Sequence, residues 1–136
     1  MHALRLILGL LLGLFVGVIV NGSFIELGII IFPYPKGFDI NTNEGMQTFY
    51  KLPLKYYIFP FLAHAFGTLS GCLIALLLVR KYLILVVYTI GFMFLVGGII
   101  AVIMINAPWW FDVIDLSLAY IPMAWLALKS NLAKKA

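Results

Sequence analysis

Two carboxylates one helical turn apart, Asp112 and Asp115, lie inside the apolar stretch "WWFDVIDLSLAYIPMAW" (109–125). A histidine, His64, lies inside "FPFLAHAFGTLSG" (59–71), and a third acid, Glu26, follows Asn21, Gly22 and Ser23 in a further apolar stretch. Histidine changes charge near neutral pH, and carboxylates in a poorly solvated setting exchange protons or bind cations. Three acids against one histidine would leave a fully ionised group net negative. That points to a proton relay, a cation site, or acids wet enough to stay charged. The motifs of soluble enzymes are missing: there is no HExxH, P-loop, GxSxG or Rossmann glycine pattern. The residues call for no cofactor, no metal and no catalytic group.

The elements that must position these side chains are helices in lipid. Hydrophobic residues form 65% of the 136-residue chain and charged residues 10%, against about half and a quarter in soluble domains. So much apolar surface cannot be hidden from water by a domain of this length. Four segments are long enough to cross a hydrocarbon core of about 30 Å, at about 4–32, 56–79, 82–105 and 107–128, with a loop at 33–55 that carries one short helix after Thr42. The expected fold is therefore a single all-α domain, an integral-membrane antiparallel four-helix bundle. The first segment lacks a small-x-small cleavage site and reads as a span rather than a signal peptide.

Arg5, Arg80, Lys81, Lys129, Lys134 and Lys135 fall at one end, and Lys36, Lys51 and Lys55 at the other. The richer end is expected in the cytoplasm, with both termini. The basic residues occur in ones and twos at segment ends, which suits orientation in a membrane and not nucleic acid. Cys72 is the only cysteine, so no intrachain disulfide and no CxxC motif is possible.

Apolar side chains gain little by leaving lipid for protein, so membrane helices associate through small residues and polar contacts. Gly9, Gly13 and Gly17 repeat every four residues; Gly67 and Gly71 lie in the second segment, and Gly91 and Gly98 in the third. These faces serve either packing within the chain or, for the Gly9 stripe, docking of another subunit.

Depth gathers the polar residues. At about 1.5 Å per residue, Glu26 lies roughly 9 Å inside the outer end of its span, His64 and Asp115 roughly 12 Å, and Asp112 roughly 7 Å. Asn21 and Thr68 lie close to that layer. Ionisable residues at such depth face a bundle interior or a wet cavity, so Glu26, His64, Thr68, Asp112, Asp115 and Asn21 form the candidate site for a proton, cation or ligand. Each also has a plainer role. The two aspartates answer the positive end of a helix starting after Pro108, His64 donates to Thr68 or a backbone carbonyl, and Glu26 reaches the outer interface if Asn21-Gly22-Ser23 breaks the first helix. Pro122 leaves a carbonyl near Leu118 unpaired and kinks the last helix.

Four spans with an acid in the first resemble small multidrug transporters, but there the acid sits near the middle of a short first helix. "FPFLAHAFGTLSG" with "APWWFDVIDLSLAYIPMAWL" (107–126) and "GLFVGVIVN" (13–21) resembles a group of small bacterial four-helix inner-membrane proteins with no known activity. The resemblance implies the fold and a bacterial inner-membrane location. Two functions follow from the residues. One is a non-catalytic accessory or assembly subunit, packing on a membrane-protein partner or its own copies through small-residue faces. The alternative is an oligomeric transporter or proton- or cation-handling protein using the polar layer.

Overall fold

A computed structural model describes the backbone of residues 2–135 and the side-chain surroundings of residues 2–131. The side chains of Lys134 and Lys135, counted above for orientation, lie outside the described residues. Every regular element of the described residues is helical: α1 (His2–Ile31), α2 (Asn43–Thr48), a 3-10 turn (Phe49–Lys51), α3 (Lys55–Leu78), α4 (Leu83–Met104), α5 (Trp109–Leu118) and α6 (Ile121–Lys135). Four stretches, His2–Ile31, Lys55–Leu78, Leu83–Met104 and Trp109–Asn131, are long and apolar enough to cross a membrane. Their outward faces are apolar, with Leu77 78% and Ile103 77% exposed.

Glycine sets the closest contact. A Cβ on Gly13 would stand 2.6 Å from the Gly71 carbonyl oxygen, and one on Gly17 would stand 2.7 Å from that of Gly67. The backbones of α1 and α3 therefore touch, antiparallel, in the small-residue manner expected of helices in lipid. Gly9 meets Val79 and Ala75 at the same seam. The stripe is consumed inside the chain, the first of the two uses expected for it. Gly91 admits Ala124, and Gly98 admits the ring of Tyr120. The half of the bundle at the chain termini is filled by Cys72, Ala75, Val86, Val87, Ile90 and Ala124.

Helix α1 runs unbroken through Asn21-Gly22-Ser23, with Ser23 returning its hydroxyl to the Ile19 carbonyl (2.8 Å). The last segment is instead split. Ala119 N–H donates to Asp115 and closes α5, and Ala124 N–H donates to Tyr120 and opens α6. Pro122 has no N–H to continue the ladder, so the expected kink is a full break at Ala119–Tyr120. Tyr82 adopts a left-handed conformation (φ 59°) and delays the start of α4 to Leu83.

The loop at the opposite end is an ordered cap. Thr42 accepts from Gly45 N–H (3.0 Å) and starts α2. Asn106 N–H donates to the Met46 carbonyl (2.9 Å), and Tyr50 N–H donates to the Asn106 carbonyl (2.8 Å). Phe49, Tyr57 and Phe111 are buried together beneath it.

Candidate functional site

Asp115, on the last full turn of α5, is 2% exposed. His64, facing it from α3, places Nδ1 2.8 Å from Oδ1 and 2.9 Å from Oδ2. The Tyr120 hydroxyl, from the break between α5 and α6, donates to Oδ2 (3.1 Å). The imidazole and the Tyr120 ring stack with centroids 5.7 Å apart and planes 28° apart. Set against an ionised carboxylate, which accepts hydrogen bonds and donates none, Nδ1 is the protonated nitrogen whether the ring is neutral or charged. In the neutral ring Nε2 is then a bare acceptor, and in the charged ring it is a donor.

That second nitrogen has no hydrogen-bond partner among the described residues, and it is not sealed off. The His64 side chain is 20% exposed, and it lines two spaces. One is a cavity of about 170 Å³ under the loop cap, bounded also by Ile29, Tyr34, Pro60, Asp112 and Asp115. The other is a more open groove of about 490 Å³ on the flank between α1 and α4, bounded also by Val18, Asn21, Met93, Gly97 and Tyr120.

The polar layer of the sequence is thus brought together only in part. His64 and Asp115 meet directly. Asp112 lines the cavity from the first turn of α5, half-buried, where the helix dipole favours a carboxylate. Asn21 reaches the groove that His64 lines. Thr68 is fully buried but gives its hydroxyl to the His64 carbonyl (2.8 Å), so it steadies the helix and touches no other member. Glu26 stands apart: it is exposed and makes no hydrogen bond or ion pair among the described residues. Its face of α1 is turned away from α3, because Phe24 and Gly28, two residues to either side, are the ones that pack on Phe66 and Phe59. Tyr120, buried at 1% exposure, belongs to the centre and was not among the expected residues. Among the described residues no group of three or more His, Cys, Asp or Glu side chains could hold a metal ion.

Fold and site define an all-helical protein, with four stretches capable of crossing a membrane, built around a buried His–Asp–Tyr centre. No family model, curated protein or solved structure matches the chain.

Proposed function

We propose that this chain is a multi-pass protein of the bacterial inner membrane, with both termini cytoplasmic, that takes up and releases a proton at His64 as a proton-linked carrier. The observation carrying this reading is the His64 ring itself. Asp115 holds one nitrogen, the other has no hydrogen-bond partner among the described residues, and the residue lines both the cavity under the loop and the flank groove. The positive-inside distribution supports placing the loop outside, so the cavity is the route to outer water. The packed apolar core at the chain-terminal half closes the other direction.

The test is proton entry into vesicles loaded with a pH-sensitive dye, driven by an imposed inside-negative potential. Wild type should acidify the lumen faster than His64→Gln. Equal rates, or a wild-type rate no greater than that of protein-free vesicles, would overturn the reading. Orientation is tested separately by protease access to a tag at each terminus; digestion of either tag from outside would reverse it.

One observation favours the accessory-subunit role as a second reading. With the glycine faces occupied within the bundle, the remaining distinctive surface is Glu26, an unpartnered carboxylate among lipid-facing residues such as Phe15 (62% exposed) and Ile30 (73% exposed). A partner helix bearing a basic or hydrogen-bonding side chain at that depth would relieve it. If so, Glu26→Leu should dissolve a stoichiometric complex in native membranes. If the face meets only lipid, the same change should raise the thermal stability of the purified chain.

A further inference from the structure

The groove between α1 and α4 has the makings of a binding site for a membrane-dissolved ligand. Its walls are apolar, from Leu14, Val18, Met93 and Phe94, and its volume of about 490 Å³ falls within the roughly 300–1,000 Å³ of small-molecule sites. Its flank is open: Val18 is 62% and Met93 49% exposed, and a Cβ on Gly97 would meet nothing within 4 Å. Two of the residues lining it, Asn21 and His64, have polar side chains with unbonded groups, the Asn21 amide and His64 Nε2. Neither has a hydrogen-bond partner among the described residues, and neither is sealed from the groove. Polar groups at membrane depth without partners are costly, and both of these residues line the one groove.

We infer that the groove binds a neutral amphiphile, an apolar tail ending in a head with a hydroxyl or carbonyl, which enters from lipid between α1 and α4. The head is uncharged because among the described residues no Lys or Arg side chain lines the groove, and Asp115 is already engaged with His64. A hydroxyl donates to bare Nε2, and a carbonyl accepts from it once the ring is charged. The Asn21 amide, which both donates and accepts, serves either head. The inference rests on the proton-handling reading in one respect, that Asp115 fixes the His64 tautomer. Such a head could belong to a quinol ring or to a glycerolipid.

The chain has two histidines, so ¹⁵N-histidine labelling with His2→Gln isolates the His64 signals. The full chain in phosphatidylcholine nanodiscs is titrated with a decyl-tailed benzoquinol, with dioctanoylglycerol, and with decane. At least one of the hydroxyl-bearing probes should shift Nε2 saturably while decane does not, and the one that binds identifies the source. Gly97→Leu, which projects into empty groove, should abolish the shift while leaving the ligand-free His64 spectrum unchanged. Asn21→Leu should weaken binding roughly three- to tenfold, the worth of one hydrogen bond. An equal shift by decane, no shift by either head-bearing probe, or undiminished binding in Gly97→Leu would overturn the inference. The ligand-free spectrum judges the other reading separately: a bare Nδ1 there would remove the tautomer argument for proton handling whatever the probes do.

Discussion

Asp115→Asn changes one atom of the centre and should invert its hydrogen bonding. In wild type the carboxylate accepts from His64 Nδ1 and from the Tyr120 hydroxyl. The amide of the variant keeps one acceptor oxygen and replaces the other with a donor NH₂. It can still accept from Tyr120 at the Oδ2 position, but the NH₂ at the Oδ1 position, the nearer of the two to Nδ1 (2.8 against 2.9 Å), then faces the Nδ1 proton. The cheapest relief is for the ring to move its proton to Nε2, so that bare Nδ1 accepts from the amide. A hydrogen bond to a charged group is worth about 1.5–3 kcal/mol, which corresponds to a tautomer preference of roughly ten- to 150-fold in wild type at the usual 1.4 kcal/mol per tenfold. Nitrogen-15 spectra of labelled histidine distinguish a protonated from a bare ring nitrogen directly. Wild type should therefore show protonated Nδ1, and the variant should show protonated Nε2 in the neutral ring. Asp115→Ala, which leaves both buried donors unpartnered, should cost about 1–3 kcal/mol for each and be the less stable of the two. An unchanged His64 spectrum in Asp115→Asn would refute the claim that this carboxylate fixes the ring, and with it the account of why Nε2 is free to exchange protons.

Adjacent glycines should behave in opposite ways. Gly98→Ala drives a methyl into the Tyr120 ring, 2.5 Å from Cζ, whereas Gly97→Ala meets nothing; the first should lose the Tyr120–Asp115 bond and lower the melting temperature, and the second should leave it unchanged or raise it. Gly13→Leu should destabilise the bundle far more than Leu11→Ala, since Gly13 touches the Gly71 backbone and Leu11 is 60% exposed; similar melting temperatures in detergent would remove the close-packing argument. Tyr34, in the loop after α1, has its phenol held above the ordinary 10.0 by burial first and by Tyr56 second. A raised value means that the folded state holds this proton more tightly, so the contribution is fully present below pH 10 and is lost as pH rises through the folded value. Tyr34→Phe should therefore narrow the stability loss on going from pH 9 to pH 12 in denaturation curves, and identical losses would count against burial of the phenol.

The helical architecture was legible because its signals are long and redundant. Four apolar runs, punctuated by a Pro- and Gly-containing loop and two tight turns, leave little choice of element. The pairing of α1 with α3 was legible in kind, through two stripes of small residues at four-residue spacing, but not in purpose. A glycine face reads the same whether its partner is another subunit or the same chain. The His64–Asp115 contact could be read from depth, because both residues lie about 12 Å inside their spans and an unpaired carboxylate there is costly. Depth says nothing of direction, however, and that is where Glu26 was misplaced. Counted from Gly13, Glu26 lies about 220° round the helix, so once the glycine stripe is known to face α3, Glu26 must face away.

Tyr120 was hidden by the assumption of a continuous last helix. On such a helix it would lie about 140° from Asp115, too far round to reach it. The signal was Pro122, whose missing N–H breaks the ladder between Ala119 and Tyr120 and lets the side chain turn back to the carboxylate. Gly98 completes the arrangement by vacating the space that the ring fills. The break therefore does more than bend the chain. It makes one residue both a donor to Asp115 and a wall of the flank groove. Tyr120 thus joins the carboxylate of the centre to the groove inferred above as a ligand site, by a contact that a straight helix could not make.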